Sequence, residues 1–405
     1  MGRPGGDFDD IDWLDDGRVV AVDPYAPPRL PWPRWFTAAV AVLAVVAVVA
    51  VLNTARRTPS GPPAAAVATT PATSNRPAPS TSAPRSARPS PPAVSVVRLG
   101  RPLLGVTEGW ELFARGTGVL ARIQLAAGRL TLTRIPDLRS GGPAYLLAGP
   151  DRVVIRPLDS VPGFVVPDGR LPVEQPVTLN EDGPVFPGPE PGQMWVRPAD
   201  DHQPVMALAT LDGKRLEDFV QVPRGSSPFE AVADGAGYLL YPGIGGVYAA
   251  RPDGLRRIST GVLLAVGPTG WLVVECDERY RCQTVLVGRV DGSRRIVPAD
   301  TGNRDRSGVI APDGATAAMV TASPNGSAGL YLLDLATGKR RVVDVSVSQE
   351  TMDGAVVFSP DSSWLFVVTA DGGLSAVNRR TGAVSDLDLP VTGLAQLAVR
   401  PAGNH

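Results

Sequence analysis

Cysteine, histidine and lysine are scarce in this 405-residue sequence, and their scarcity excludes several kinds of site. There are two cysteines, two histidines and only two lysines, Lys214 and Lys339, so nearly every positive charge is an arginine. Because one histidine is the terminal His405, almost no soft ligands are left for a zinc or copper centre. We therefore expect no metal site and no cofactor. The abundance of Arg, Ala, Val, Gly and Pro suggests a GC-rich bacterial genome.

Local catalytic motifs are also missing. The sequence has no G-x-S-x-G, no G-x-x-x-x-G-K-[ST], no H-E-x-x-H and no C-x-x-C string. A Ser-His-Asp triad would depend on His202, which Asp200 and Asp201 are placed to orient. Since no serine stands beside them, we expect these three residues to be exposed loop residues.

A dense basic segment is missing too. The chain has 39 Lys and Arg residues against 40 Asp and Glu residues, and no stretch has the basic footprint that nucleic-acid binding needs. We expect no nucleic-acid partner.

One long apolar run is present, at residues 36–52, and it predicts a transmembrane helix at 36–53. Two tryptophans precede the run and two arginines follow it, as at membrane interfaces. A buried core helix is the first alternative, but it would have nothing to pack on beside a Pro-rich segment. A cleaved signal peptide is the second, and the long acidic segment before the run argues against it.

The flanks of this run predict the topology. Residues 54–95 are rich in Pro, Ser, Thr and Ala and predict a disordered linker, of which the stalk at 58–92 would reach about 100 Å if mostly polyproline II. Residues 1–35 form an acidic tail that we expect to be disordered; the alternative is a docking motif for a cytoplasmic partner. The numbers of arginines on the two sides of the apolar run are nearly equal, so the positive-inside rule does not decide the orientation. The linker and the closely spaced cysteines beyond it favour a cytoplasmic N-terminus and an extracytoplasmic domain at 96–405.

Beyond residue 96 the chain consists of short apolar runs broken by Gly, Asp and Pro, which predicts an all-β domain. A turn glycine recurs every 38 to 46 residues, and Asp or Thr often precedes it while basic residues follow. These glycines are Gly128, Gly169, Gly213, Gly254, Gly292, Gly338 and Gly382. A period near 40 built of strands and hairpins is typical of a propeller with one four-stranded blade per repeat.

Two repeats can be divided into strands A to D. The sixth has predicted strands at 308–311, 317–322, 330–335 and 341–345, and the seventh at 356–358, 364–369, 374–377 and 384–389. Their A–B turns, Pro312-Asp313-Gly314 and Ser359-Pro360-Asp361, resemble those of the bacterial TolB-like, YVTN and WD-repeat propellers. The seven recurring turn glycines predict seven blades, with six or eight as alternatives. The resemblance is good in blades five to seven and weak in blades one to three, where prolines at 185–191 interrupt an expected A strand.

The two ends of the domain are expected to meet. Residues 394–399 form another apolar strand, while only two clear strands precede the first turn glycine. We predict that the C-terminal strand becomes the innermost strand of the first blade and closes the ring.

The two cysteines flank a predicted B–C loop. Cys276 and Cys282 enclose five residues, so facing strand positions can meet disulfide geometry, and a disulfide is expected outside the cytoplasm. A metal pair is the alternative, but no histidine or second cysteine pair accompanies it.

The resemblance also implies a binding face, because the B–C and D–A loops of a propeller share one face where ligands usually sit. The candidate rim residues there are Asp200, Asp201, His202, Asp277, Glu278, Arg279, Tyr280, Arg281 and Asn325. The alternative is that they are merely solvated loop tips.

We therefore expect a membrane-anchored, non-enzymatic binding or scaffolding propeller for a protein, peptide or glycan of the cell envelope. The alternative is a propeller enzyme of the lyase or hydrolase type, with a site assembled from several loops and hence no local motif. If the chain is an enzyme, we expect a deep funnel lined by convergent charged groups. If it is a binding module, we expect a broad rim with exposed aromatic residues.

Overall fold

The structure is a computed structural model that describes residues 94–402 apart from 101, 136–143, 159–162, 175–182, 199–203, 244, 300–304, 322–326 and 349–351. The chain divides into two units, residues 1–86 and 87–405, and all described residues lie in the second unit. The predicted acidic tail, transmembrane helix and nearly all of the linker lie outside the described residues. Among the described residues, no helix is long and apolar enough to cross a bilayer.

The described part of the second unit is all-β and consists of consecutive antiparallel meanders, numbered 1 to 7 in chain order. Meander 1 contains β1 (Val94–Arg98), β2 (Glu111–Gly116), β3 (Val119–Gln124), β4 (Arg129–Arg134) and the last strand, β29 (Gln396–Arg400). Meander 2 contains β5 (Ala144–Ala148), β6 (Arg152–Pro157), β7 (Phe164–Pro167) and β8 (Val173–Glu174). Meander 3 contains β9 (Val185–Pro187), β10 (Gln193–Val196), β11 (Val205–Thr210) and β12 (Arg215–Gln221). Meander 4 contains β13 (Val232–Ala233), β14 (Leu239–Gly243), β15 (Gly246–Arg251) and β16 (Gly254–Ser259).

The remaining three meanders follow the same plan. Meander 5 contains β17 (Val262–Gly267), β18 (Gly270–Cys276), β19 (Cys282–Gly288) and β20 (Arg294–Val297). Meander 6 contains β21 (Asp305–Ile310), β22 (Thr316–Thr321), β23 (Ser327–Asp334) and β24 (Arg340–Ser348). Meander 7 contains β25 (Val356–Phe358), β26 (Trp364–Val368), β27 (Leu374–Asn378) and β28 (Val384–Asp386). The helices within the described ranges are two 3-10 turns, Leu103–Gly105 and Pro228–Glu230, and the short α-helix Met352–Ala355.

Meanders 5 and 6 are joined into one eight-stranded sheet, so the described strands form six sheets rather than seven separate ones. The junction is a single parallel bridge between the first strands, at Val266 and Val309. Gly267 permits this approach, since a Cβ there would lie 2.6 Å from the Cβ of Ile310. The first strand of each of meanders 2 to 7 is thus the innermost one, and in meander 1 this place is taken by β29.

The hydrophobic core lies between neighbouring meanders. One cluster contains Leu208 of meander 3 and Leu239 of meander 4, and a larger one joins meanders 6, 7 and 1. In the larger cluster the rings of Trp110 and Phe366 meet edge to face at 5.7 Å. The buried clusters of the described residues link meanders 1–2, 2–3, 3–4, 4–5, 5–6 and 6–7–1. A closed ring of sheets that pack face to face is a β-propeller, which confirms the all-β propeller part of the predicted fold class.

The recurring glycines lie at the turns between third and fourth strands. All seven have positive φ, from 57° to 126°, as tight hairpin turns require. The basic residues that follow them also contact the next meander. Arg295 Nη1 donates to the Leu335 carbonyl at 2.7 Å, and Arg341 Nη1 donates to the Arg380 carbonyl at 2.6 Å. The sequence motif thus joins adjacent sheets as well as forming a turn.

The C-terminal strand closes the ring, as predicted. β29 pairs antiparallel with β2, with Arg400 opposite Glu111 and Gln396 opposite Arg115. β1 adds a fifth strand outside β4, which the sequence pattern does not predict. The two ends of the domain therefore meet within one sheet.

Four charged side chains lie at this closure. Arg400 binds both carboxylate oxygens of Asp168 in meander 2, at 2.7 and 2.9 Å, and its Nη1 lies 3.3 Å from Glu111. Arg122 lies 2.6 Å from Glu111 and 2.9 Å from Asp168. The side chains of Arg400 and Glu111 are both only 8 % exposed, and the Arg400 guanidinium stacks over the Phe113 ring. The network links meanders 1 and 2 through the last strand.

Candidate functional site

The strand order gives the ring two different faces. Connections between second and third strands, and between consecutive meanders, lie at one end of the strands, which we call the loop face. Connections between first and second strands, and between third and fourth strands, lie at the other end, which we call the turn face. β1 runs antiparallel to β4, so the chain enters the domain from the loop face.

Carboxylates of the turn face are neutralised by arginines of neighbouring meanders. Arg289 Nε lies 2.7 Å from Asp234, which is buried, and Arg379 Nη1 lies 2.5 Å from Asp313. Arg152 pairs with Asp212 in the same way across meanders 2 and 3. These contacts hold adjacent sheets together, so their acidic groups are structural.

A disulfide closes the loop between β18 and β19 on the loop face, as predicted. Cys276 and Cys282 are opposite each other in the strand pairing and are bonded, with Cα atoms 3.9 Å apart. The described residues include no free cysteine. The disulfide therefore fixes both ends of the five-residue segment 277–281, which we call the stapled loop.

Asp277 organises this loop. Its Oδ1 accepts hydrogen bonds from the backbone N–H groups of Arg279 and Arg281, both at 2.9 Å, and its Oδ2 accepts from Arg281 Nε at 2.8 Å. The backbone and then the side chain of Arg281 lower the pKa of Asp277 from its ordinary value. The carboxylate is thus ionised at neutral pH and fixes the backbone on both sides of Tyr280.

Tyr280 occupies the tip of the stapled loop in an unfavourable conformation. Its φ is +58°, in the left-handed region, where a bulky residue costs about 1 to 3 kcal/mol. Its side chain is 89 % exposed, so no packing against the domain compensates. The disulfide and Asp277 hold the backbone instead. A strained, exposed aromatic residue on a rigid loop has the properties of a binding contact.

Three further apolar side chains are exposed on the loop face of meanders 4 and 5. Val232 and Val262 are the first residues of β13 and β17, the innermost strands, and Phe229 lies in the 3-10 turn before β13. Ser227 and Glu230 form a capping box that fixes this turn. The loop face thus presents exposed aromatic residues at its inner edge and on the stapled loop.

The predicted rim residues fall into two groups. Asp277, Glu278, Arg279, Tyr280 and Arg281 lie together in the stapled loop, and all five are exposed. Asp200, Asp201, His202 and Asn325 lie outside the described residues, so their convergence on the same rim remains a prediction.

The residues that the sequence does not reveal are Phe229, Val232 and Val262. Both valines lie in short apolar runs and cannot be distinguished from core positions by pattern. The capping box beside Phe229 is visible as Ser-Pro-Phe-Glu, but it indicates a helix start and not exposure.

Two cavities among the described residues contain charged side chains. One cavity of about 340 Å³ includes Arg289, Asp291 and Arg295 on the turn face, and one of about 470 Å³ lies near Asp371 and Asp386. Among the described residues, no group of three or more His, Cys, Asp or Glu side chains is placed to hold a metal.

Every described carboxyl group with a resolved pKa shift is shifted downward. Such shifts affect Asp151, Glu275, Asp277, Asp291, Asp334, Asp361 and Asp371. A general acid near neutral pH needs a raised carboxyl pKa, so these groups serve as charged hydrogen-bond acceptors in loops and ion pairs.

No protein-family model and no curated protein matches the sequence. Solved structures with similar folds include a putative 6-phosphogluconolactonase from Bacteroides fragilis, 13 % identical with TM-score 0.44, covering 74 % of this chain and 99 % of that chain. TolB from Acinetobacter baumannii is 14 % identical with TM-score 0.40, covering 72 % and 83 %. Apo AztD from Citrobacter koseri is 14 % identical with TM-score 0.44, covering 71 % and 83 %. Likenesses this distant transfer no activity to this chain.

The role of Asp277 can be tested through its two backbone donors. In Asp277→Ala, with the disulfide intact, the amides of Arg279 and Arg281 should exchange with solvent at least severalfold faster. Acidification should likewise lower the protection of these two amides relative to their intrinsic exchange rates at each pH, because a carboxylate with a lowered pKa contributes order above its ordinary pKa and loses it as pH falls through the lowered value. Hydrogen exchange with residue resolution measures both effects.

Asp291→Ala is the matched control, since Asp291 Oδ1 accepts from the Ser293 N–H in a turn-face loop of the same meander. It should speed exchange at Ser293 and leave the stapled loop unchanged. Unaltered protection of Arg279 and Arg281 in Asp277→Ala would show that the disulfide alone fixes the loop.

Proposed function

We propose that this chain is a non-enzymatic binding module whose loop face contacts a protein, peptide or glycan of the cell envelope. The observation that carries the proposal is the stapled loop, which presents Tyr280 fully to solvent in a strained but fixed backbone. A preorganised aromatic side chain loses little conformational entropy on binding and is a frequent hot spot. Phe229, Val232 and Val262 add exposed apolar surface on the same face.

The chemistry of the described site supports binding over the alternative of a lyase or hydrolase. The loop face has the exposed aromatic residues that are expected of a binding module. The carboxyl groups with resolved pKa shifts are held ionised, and many of them act as turn or ion-pair acceptors. No observation on the described residues favours a reaction.

We propose a single-pass membrane topology with the N-terminus in the cytoplasm and the propeller outside it. The apolar run at 36–52, the Pro-rich linker and the disulfide support this arrangement, since disulfides persist in oxidising compartments. Each meander would be one blade of a seven-bladed ring of the TolB-like, YVTN or WD-repeat type. In this topology the acidic tail at residues 1–35 lies in the cytoplasm, where it is available to bind a cytoplasmic partner.

The topology predicts the behaviour of a reporter fused after His405. A reporter that needs an oxidising compartment should be active in intact cells, and one that works only in the cytoplasm should be inactive. The reverse result would place the propeller in the cytoplasm and contradict the proposal.

The binding role predicts a loss of capture when Tyr280 is truncated. The immobilised full chain in detergent micelles is exposed to envelope extract, and cross-linked material is quantified. Tyr280→Ala should capture about tenfold less than the wild type, as expected for a hot-spot residue, whereas Tyr280→Phe should retain most capture. Protease or periodate treatment of the extract then distinguishes a protein from a glycan ligand.

Val290→Ala is the matched control, because Val290 is also 89 % exposed but lies in a turn-face loop of the same meander. It should capture as much as the wild type. Equal capture by Tyr280→Ala and wild type, or equal losses in Tyr280→Ala and Val290→Ala, would remove the stapled loop from the binding site.

A further inference from the structure

Basic residues are concentrated at one part of the outer edge of the ring. The third-to-fourth-strand turns and the outermost strands of meanders 4 to 7 span residues 252–259, 289–297, 335–348 and 379–386. These four segments hold ten Lys and Arg residues against four Asp residues, although the whole chain is balanced. We call this surface the basic arc, and its basic residues are Arg256, Arg257, Arg289, Arg294, Arg295, Lys339, Arg340, Arg341, Arg379 and Arg380.

Meanders 1 to 3 have no such excess of basic residues. The equivalent segments of meanders 1 to 3, at 125–134, 168–174 and 211–221, hold five basic and five acidic residues. Five arginines of the arc contact neighbouring meanders, namely Arg289, Arg294, Arg295, Arg341 and Arg379. The side chains of Arg257, Lys339 and Arg380 take no part in these contacts, so the arc supplies more basic residues than the contacts use.

The arc keeps a net positive charge after its ion pairs are subtracted. Arg289, Arg294 and Arg379 are paired with carboxylates outside the arc, and Asp253 is paired with Arg251. The hydrogen bonds that Arg295 and Arg341 donate go to neutral backbone carbonyls, so both guanidinium groups keep their charge.

The arc is exposed and periodic. β16, β20 and β24 are the outermost strands of consecutive meanders, and basic pairs follow the turn glycine at the start of each. Eight of the ten basic residues are exposed; Arg289 and Arg379 are partly buried in their ion pairs. Equivalent cationic groups therefore recur from one sheet to the next along the rim.

We infer that the basic arc binds an anionic polysaccharide, a linear polymer with repeating carboxylate or other anionic groups. Guanidinium forks bind carboxylates in a bidentate manner, and a periodic polymer can occupy several meanders at once. The choice of an envelope polymer over a nucleic acid rests on the proposed function and its extracytoplasmic location. The arc is a different surface from the stapled loop.

The test measures binding of the full chain, in nonionic detergent micelles, to polygalacturonate and to neutral dextran at several salt concentrations. Wild type should bind polygalacturonate and not dextran, with affinity falling steeply as salt rises. The triple variant Arg257→Gln, Lys339→Gln and Arg380→Gln removes three exposed arc charges that take no part in the contacts between meanders described above. It should bind about tenfold more weakly, and its salt slope should fall by about 2.

The matched control is the triple variant Arg134→Gln, Arg170→Gln and Lys214→Gln, which removes the same charge from exposed positions of meanders 1 to 3. It should bind almost as well as wild type, and both variants should melt like wild type. Tyr280→Ala should also keep polygalacturonate binding, so a failure of the stapled loop and a failure of the arc can be distinguished.

Three results would overturn the inference. They are an absence of wild-type binding at physiological salt, equal losses in the two triple variants, and tighter binding to duplex DNA of equal charge than to polygalacturonate.

Discussion

The pairing of the last strand with the first meander is the constraint on which the rest of the domain depends. Each four-stranded sheet has two apolar faces and cannot shield them alone, so the meanders are stable only as a closed ring. β29 completes this ring by pairing with β2, and Arg400 joins the closure to meander 2 through Asp168. Truncating one member of this cluster would leave buried charge without compensation.

The closed ring also determines where function can lie. Antiparallel meanders place two sets of connections at opposite ends, so the turn face is joined by ion pairs between neighbours while the loop face carries the stapled loop. Basic residues in excess of those that join neighbouring meanders lie at its outer edge in meanders 4 to 7. The domain thus offers two separate surfaces, one aromatic and rigid, the other cationic and periodic.

Much of the fold is predictable because it repeats. The recurring glycines, the strands of the sixth and seventh repeats, the closing C-terminal strand and the disulfide all follow from turn chemistry, alternation or cysteine spacing, and the structure confirms them. β1 is not predictable, since residues 94–98 look like the end of the linker until β4 provides an edge to pair with. The exposure of Val232 and Val262, the left-handed backbone of Tyr280 and the assembly of the basic arc from four distant segments are tertiary properties. No local pattern of residues encodes them.

The most direct test of the closure is the unfolding free energy of Arg400→Met compared with that of Arg379→Met, measured by urea denaturation of the full chain. Both variants remove an arginine that pairs with an aspartate of a neighbouring meander, but Arg400 is 8 % exposed and contacts two carboxylates, whereas the single partner of Arg379, Asp313, is 40 % exposed. Arg400→Met should cost about 3 kcal/mol, because the two partly buried carboxylates of Glu111 and Asp168 are left with Arg122 as their one shared counter-charge. Arg379→Met should cost about 0 to 1 kcal/mol. Equal and small losses in the two variants would show that the ring does not depend on its closure at Arg400.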